Sequence, residues 1–296
     1  MKSTKPKEKK NNSKNLQGTL FVVATPIGNH LDWTDRAKQV LKAVDVIAAE
    51  DTRVLKKELA KVGIKPQKVF SYHDHNEDAS TKGLLVLLSE GKDVALASDA
   101  GTPLINDPGY KIINAARSAG YTVIPVPGPS SLTAALSVAA LGGNTFFFGG
   151  FLPSQRGARQ QLLKHYKSFS ENLVFFESPH RLREMLDDAE EIFGGKTQTV
   201  ACRELTKAYE EVKVQTLSEI RNHFQVNEPR GEFVILFKGA TPEQLGSTDT
   251  EKAVSKLLGE GFSASDILER LQTTTALSRK QLYDLITRLK KLIDPA

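Results

Sequence analysis

The sequence predicts an α/β protein, and three observations carry that expectation. Over the first ~130 residues, short β-type runs alternate with helical spacings, which is the pattern of a mostly parallel sheet covered by helices. Most of these runs empty into turns rich in Gly, Pro and charged residues, where open α/β sheets present ligand-binding loops on a rigid scaffold. Residues 250–296 are helical in pattern, which sets them apart as a small helix-turn-helix-like unit.

Composition bounds the reading. With 296 residues, 40% hydrophobic and 25% charged, the chain is long enough for two or three compact units. No apolar run approaches the ~20 residues that span a bilayer. Met1–Asn15 is polar and Lys-rich without an apolar core, so it reads as neither a secretory signal nor an anchor, and a cytoplasmic location is expected. Cys202 is the only cysteine, which excludes an internal disulfide framework and fits a reducing compartment. The net charge is +5. Residues 1–16 hold six lysines against Glu8, so this arm alone equals the surplus and the folded body is expected near neutrality. A disordered basic arm suits either contact with a polyanion such as nucleic acid or simple solubility.

Taken in order, Gly18–Ala24 is a β-branched and aromatic run that opens the fold and ends at Thr25-Pro-Ile-Gly-Asn29. Asp32–Ala43 has helical spacing, and the run Val44–Ala49 follows and discharges into Glu50-Asp-Thr-Arg53. Val54–Val62 reads as a helix stopped by Gly63. Lys68–Tyr72 reads as a strand ending in His73-Asp-His-Asn-Glu77. Thr81–Glu90 is helical, and Val94–Leu96 leads into the central loop Ala97–Gly109, ASDAGTPLINDPG, with two Gly and two Pro. There Asp99 is a ready acceptor for hydroxyl or ammonium groups, and the glycines allow close backbone approach. Pro108–Ala119 and Leu132–Ala140 read as helices, on either side of the strand Tyr121–Val126 and its Pro127-Gly-Pro-Ser-Ser131 exit.

The second half predicts strands at Thr145–Phe151, Asn172–Glu177, Thr199–Arg203, Glu211–Thr216 and Glu232–Lys238. Between them lie helices at Gly157–Tyr166, Arg181–Phe193 and Leu217–His223, so a mixed sheet is expected. Residues 241–249 form a connector. Three helices follow at Thr250–Glu260, Ala264–Gln272 and Arg279–Ile293, with Ser263 and Ser278 as N-caps. The last carries Arg279, Lys280, Arg288, Lys290 and Lys291 against Asp284, a cationic face over an apolar stripe of Leu282, Leu285, Ile286 and Leu289.

Two nucleotide-binding patterns are absent. Thr25-Pro-Ile-Gly-Asn29 has one Gly where a Rossmann fingerprint needs three, and no G-x-x-x-x-G-K-[ST] run exists. Seven segments in register instead carry a resemblance: Thr25–Asn29, Ala49-Glu-Asp-Thr-Arg53, Tyr72–Glu77, Ala97-Ser-Asp-Ala-Gly-Thr-Pro103, Val126–Ser131, Phe176-Glu-Ser-Pro-His-Arg181 and Cys202-Arg-Glu-Leu-Thr-Lys207. Over about residues 17–240 the chain resembles the tetrapyrrole-methylase-like S-adenosylmethionine methyltransferases. Relatives acting on tetrapyrroles carry Gly-Asp-Pro at the central loop. The Ser-Asp-Ala-Gly-Thr-Pro form here resembles the ribosomal RNA branch, which methylates a cytidine ribose 2′-hydroxyl in the decoding region of 16S rRNA. A small-molecule substrate such as a tetrapyrrole is the rival.

The resemblance implies a homodimer of two αβ domains, residues 17–126 and 127–240, with S-adenosyl-L-methionine held in the cleft between them. It implies donor contacts by Ala97, Ser98, Asp99, Gly101, Thr102, Pro103, Leu104, Ser130, Ser131, Phe176, Glu177, Leu205, Gly231 and Glu232. The chemistry of these residue types agrees: Asp99 accepts, the serines offer hydroxyls at a helix start, and apolar strand ends flank adenine.

A ribose hydroxyl is a poor nucleophile, so a general base or an alkoxide-stabilising cation should add ~10²–10⁴-fold. Polar candidates at strand ends are Glu50, Asp51, Arg53, His73, Asn76, Glu77, Arg203, Glu204 and Lys207, together with Glu177, His180 and Arg181. These last three stand out because one turn offers a carboxylate, an imidazole and a guanidinium, although Glu177 and Arg181 can equally pair to organise the turn. Arg53, Arg203 and Lys207, with the C-terminal cations, are candidate phosphate contacts for 16S rRNA in the 30S subunit. His73 and His75 lack a third ligand at metal-site spacing, so no metal is expected. Cys202, Trp33 and Phe146–Phe148 read as core rather than as nucleophile or base-stacking groups.

Overall fold

The computed structural model describes residues 17–240, 250–272, 275 and 277–293. The expected basic arm at 1–16 and the connector at 241–249 lie outside the described residues. The chain divides into two compact units, Met1–Ala134 and Ala135–Ala296.

The first unit runs β1 (Thr19–Val23), α1 (Asp35–Ala43), β2 (Val46–Ala49), α2 (Thr52–Lys61), β3 (Val69–Ser71), α3 (Glu77–Ser89), β4 (Val94–Ala97), α4 (Tyr110–Ser118) and β5 (Thr122–Val126). The strands form one sheet in the order β3-β2-β4-β1-β5, and every neighbouring pair is parallel. All five carboxyl ends therefore face one edge. β2 (VIAA) and β4 (VALA) are buried throughout, because both sheet faces are covered and neither can alternate with polar residues. One face packs Trp33, Ala37 and Leu41 of the α1 region and Leu55 and Leu59 of α2 against Val23, Ile47 and Ala95. The other packs Leu84 and Leu88 of α3 and Ile112 and Ala116 of α4 against Leu20, Val46 and Leu96. Each fully buried Leu or Ile contributes about 1.5–3 kcal/mol. Pro125, which has no N–H for a ladder, is tolerated within β5 because that strand is at the sheet edge.

α5 (Ser131–Ala139) crosses the division between the units. The second unit continues with β6 (Phe146–Phe151), α6 (Arg156–Tyr166), β7 (Asn172–Glu177), α7 (Leu182–Phe193), β8 (Gln198–Arg203), β9 (Glu211–Thr216), α8 (Leu217–Val226) and β10 (Phe233–Phe237). Its sheet order is β6-β7-β10-β8-β9. Only β6 and β7 are parallel, so the sheet is mixed as expected. α7 and α8 pack Met185, Leu186, Ile192, Ile220 and Phe224 against Phe175, Ala201 and Ile235. α9 (Glu251–Gly259), α10 (Ala264–Leu271) and α11 (Arg279–Ile293) follow. They share their own core, in which Leu282, Leu285, Ile286 and Leu289 meet Val254 and Ile267. Ser263 caps α10 in a capping box with Asp266. Ser278 does the same for α11, with Gln281 donating its N–H to Ser278 Oγ at 3.3 Å and accepting from Ser278 N at 3.0 Å.

Two helices exceed their expected bounds by three residues or more. α3 starts at Glu77 rather than Thr81, because Glu77 and Asp78 place acids in its first turn, where the helix dipole favours them. α8 runs on to Val226 past His223, drawn by burial of Phe224. Trp33 is buried, and Cys202 is buried with its thiol pushed up to about 12 by desolvation. Phe147 joins the core, whereas Phe146 departs from expectation and is 46% exposed on the edge strand β6.

α6 and α7 are clamped by a buried ion pair, Arg159 Nε to Asp188 Oδ2 at 2.7 Å. Arg159 also donates to the Ser154 carbonyl at 3.1 Å, and Gln160 donates to Asp188 Oδ1 at 2.9 Å. Asp188→Ala leaves the buried Arg159 guanidinium with only the exposed Glu184 carboxylate, 3.2 Å away, and should lower the unfolding free energy by about 3 kcal/mol in denaturant titration. A loss below about 1 kcal/mol, the range of exposed pairs, would show that the pair is solvated instead.

Candidate functional site

The loop edge of the first sheet gathers the expected residues of that unit. Beyond the parallel strands β1 and β4 the chain makes one more, antiparallel, bridge between Thr25 and Gly101. Thr25 N donates to the Gly101 carbonyl at 2.8 Å, and Gly101 N returns a bond to the Thr25 carbonyl at 3.1 Å. Both hydroxyls nearby reach carbonyls of the same knot: Thr25 Oγ1 donates to the Ser98 carbonyl at 3.1 Å, and Ser98 Oγ lies 3.2 Å from the Gly101 carbonyl. Gly101 has φ +92°, and a Cβ there would lie 3.3 Å from Ile27 Cγ2. Glycine is therefore the residue that fits. Thr102 Oγ1 donates to the Pro129 carbonyl at 3.0 Å, joining the β4 loop to the β5 exit. Ala97, Ser98, Asp99, Gly101, Thr102, Pro103 and Leu104 are thus held on one edge with Ser130 and Ser131.

Asp99 Oδ1 accepts from Asp51 N at 2.9 Å, and its other carboxylate oxygen has no donor among the described residues. Burial raises the Asp99 carboxyl, and the Asp51 charge adds to that against the opposing Asp51 N–H bond. Glu50 is raised by burial and then by Asp99 and Asp74. Asp107, which sequence reasoning passed over, closes the same loop. Burial lifts it to about 6, with Glu50, Asp99 and Asp74 reinforcing and the Ser98 hydroxyl opposing. Its mid-loop aspartate gave no signal in the sequence, because its burial is set by tertiary packing.

A second support lies behind the loop. The Tyr72 hydroxyl donates to Glu77 Oε1 at 3.0 Å and accepts from Ile112 N at 3.2 Å. The same Glu77 oxygen accepts from Gly109 N at 3.2 Å and Lys111 N at 3.4 Å. These contacts satisfy the first N–H groups of α4, which has no cap of its own. Glu77 is therefore a buried structural acceptor. His73 N donates to Asn76 Oδ1 at 2.9 Å.

In the second unit, register aligns the other expected residues. Phe233 pairs with Glu177 on one side and Arg203 on the other, so Phe176, Glu177, Leu205, Gly231 and Glu232 share one edge of the sheet. The Phe176 ring lies 4.8 Å from Phe148 and 5.8 Å from Phe151. Glu177 is buried. Its Oε1 accepts from Ser178 N at 2.9 Å, while Oε2 has no hydrogen-bond donor and stands 3.5 Å from the Arg181 guanidinium. Burial raises this carboxyl against the Ser178 bond and the charges of Arg181 and Arg159. Arg181 also donates to the Leu152 carbonyl, and His180 is exposed. The pairing alternative for Glu177 and Arg181 thus describes the turn.

Arg203 and Lys207 are engaged within the fold. Arg203 Nε donates to the Arg230 carbonyl at 2.7 Å. Lys207 Nζ reaches Glu204 Oε1 at 2.8 Å and Glu232 Oε2 at 2.9 Å. Glu204 Oε1 also accepts from Glu232 N at 3.0 Å, so this cluster fixes Gly231 and Glu232. Arg53 is exposed and bonded to Asp51 at 2.8 Å. Arg279, Lys280 and Lys290 are exposed, Arg288 pairs with Glu251, and the Lys291 side chain lies outside the described residues.

Residues 19–221 match the family model of the tetrapyrrole (corrin/porphyrin) methylases. A curated protein of Xylella fastidiosa named Ribosomal RNA small subunit methyltransferase I is 42% identical over 90% of this chain and 98% of its own. A protein of that name from Synechocystis is 41% identical over 92% of this chain and 99% of its own. Among solved structures, a cobalt precorrin-4 methyltransferase superposes with TM-score 0.54 at 18% identity, covering 74% of this chain and 94% of its own. The methyltransferase CobJ does so with TM-score 0.58 at 17% identity over 75% and 95%.

The raised Asp107 carboxyl makes stability pH-dependent. The unfolded chain releases this proton near 3.8, whereas the folded protein keeps it to about 6, so stability falls as pH rises through that window. Asp107→Asn should remove that part of the slope, on the order of 1–2 kcal/mol after allowance for partial exposure. Denaturant titrations across the window check this, and parallel profiles for the two proteins would contradict it.

Proposed function

Because the chain belongs to the tetrapyrrole (corrin/porphyrin) methylase family, we propose that it is an S-adenosyl-L-methionine-dependent methyltransferase acting on small-subunit ribosomal RNA. The methylated group is the ribose 2′-hydroxyl of a cytidine in the decoding region of 16S rRNA, in the 30S subunit. The observation that carries this reading is the near-full-length likeness to curated small-subunit rRNA methyltransferases. The protein acts in the cytoplasm as a homodimer.

The residues at the two sheet edges suit the donor. Its ribose hydroxyls and ammonium need acceptors, and Asp99 keeps one oxygen clear of described donors. Ser98, Gly101, Thr102, Pro103 and Leu104 shape the loop that carries Asp99, continuing from Ala97, and Ser130 and Ser131 offer hydroxyls at the start of α5. Phe176, Leu205, Gly231 and Glu232 supply apolar contact and backbone groups, and Glu177 brings a buried oxygen with no donor. When bound, the donor supplies a methyl group on a cationic sulfur, which needs no further activation.

The protein's own work is then alignment and proton removal. Glu177 and Arg181 hold the turn after β7 and present His180, whose imidazole takes the proton from the 2′-hydroxyl. Tetrapyrrole chemistry is disfavoured by the Ser98-Asp99-Ala100 form of the loop.

Labelled S-adenosyl-L-methionine and 30S subunits lacking the modification provide the test. Label should appear on a 2′-O-methylcytidine after nuclease digestion. His180→Gln should lower kcat by ~10²–10⁴-fold at unchanged donor affinity. Label on a base or on protein, or full activity of His180→Gln, would refute the corresponding assignment.

A further inference from the structure

Within a folded body that is near neutral overall, positive charge is concentrated on α2 and the turn after it. Residues 52–68 hold Arg53, Lys56, Lys57, Lys61, Lys65 and Lys68 against Glu58 alone, a net +5 that matches the total for the whole chain. In α2, Leu55 and Leu59 are buried against the sheet, so helical periodicity turns the cations outward. Arg53, Lys57 and Lys61 succeed one another four residues apart, about 6 Å along the axis. Lys56, Lys57, Lys65 and Lys68 are exposed and have no carboxylate partner among the described residues. Lys61 pairs only with Glu58, at 2.7 Å.

Like charges at this spacing cost an isolated helix about 0.2–0.5 kcal/mol per pair, so the stripe works against the stability of α2. The buried or half-buried cations of the second unit are treated differently: Arg159, Lys207 and Arg221 are all paired with carboxylates. The position of α2 supplies the second observation. Asp51 caps its first turn, accepting from Arg53 N at 2.7 Å. Asp51 N in turn donates to Asp99 Oδ1 at 2.9 Å. The cationic helix is therefore tied at its first turn to the carboxylate at the centre of the donor loop.

We propose that α2 and the turn after it form a phosphate-binding track that lays the substrate RNA backbone toward the Asp99 loop. This inference rests on the RNA reading above. A polyanion gains from such a track by releasing counterions, without any need to read sequence. An anionic membrane is the less suited partner, because among large apolar side chains the outward face of α2 offers only Val54, at 39% exposure, for insertion.

The test compares full-length wild type, Lys56→Gln/Lys57→Gln, and a control Lys82→Gln/Arg117→Gln on the helices of the opposite sheet face. Binding to a decoding-region 16S rRNA fragment is titrated over a range of salt, alongside methyl transfer to 30S subunits and donor binding. The α2 variant should bind RNA about ten-fold more weakly at low salt, and the slope of log K on log salt should flatten by about 1.4–1.8. Its KM for 30S subunits should rise at unchanged kcat, with donor affinity, melting and the control variant unchanged. Equal affinity and slope in wild type and α2 variant would overturn the proposal. So would unchanged RNA binding with lost binding to phosphatidylserine vesicles. Failure of methyl transfer by a wild type that still binds RNA through α2 would count against the RNA methylation reading while supporting the track.

Discussion

The two backbone hydrogen bonds between Thr25 and Gly101 fix where the chemistry of the first unit can sit. Parallel strands deliver their carboxyl ends to one edge, yet the loops leaving β1 and β4 would otherwise be free to part. An antiparallel bridge past the strand ends locks them together, and the Thr25 and Ser98 hydroxyls reach carbonyls of the same knot. Leaving such buried groups unpaired would cost about 1–3 kcal/mol each, so this knot is a stiff base for Asp99. The Tyr72–Glu77 acceptor pair holds the far end of the same loop by capping α4. The loop is thus fastened at both ends, and Asp99 has one oxygen committed to Asp51 and one clear of described donors.

Charge is distributed by a related logic. In the second unit, buried or half-buried cations are matched with carboxylates and carbonyls: Arg159 with Asp188, Arg203 with the Arg230 carbonyl, Lys207 with Glu204 and Glu232. Desolvation makes an unmatched interior charge expensive, so these residues serve the architecture of the edge on which Gly231 and Glu232 lie. On α2 and in the turn after it most cations are solvated and unmatched, an arrangement that a passing polyanion can complete. Carboxylates crowd the loop edge of the first sheet, where burial and mutual repulsion raise Glu50, Asp99 and Asp107 together.

The sheet architecture was legible in the sequence because strand ends announce themselves. Runs such as Val94–Ala97 are apolar throughout and stop at Gly- and Pro-bearing loops, and Asn172–Glu177 and Glu211–Thr216 match their expected bounds. The motif segments land on sheet edges for the same reason. The sequence is a poorer guide where a polar residue is enlisted by a distant element. Glu77 looked like part of a charged loop, but it begins α3 and caps α4, across 32 residues from Gly109. Arg203 and Lys207 looked like free cations, because their partners Arg230 and Glu232 come from the approach to β10. Asp107 carries no local mark of its burial. The charge of α2 was present in the sequence as well, but its meaning depends on the tie between Asp51 and Asp99, which only the fold reveals.

The most direct measurement is calorimetric titration of S-adenosyl-L-methionine into wild type and Asp99→Ala, with thermal unfolding of both. Saturable binding by the wild type, weakened at least ten-fold in a variant that still unfolds cooperatively, is the expected result; a tenfold loss is about 1.4 kcal/mol, just under the lower end of the range for a hydrogen bond to a charged group. Equal affinity in the two proteins, or no binding by the wild type, would contradict the assignment of the Thr25–Gly101 knot and its aspartate as a donor site.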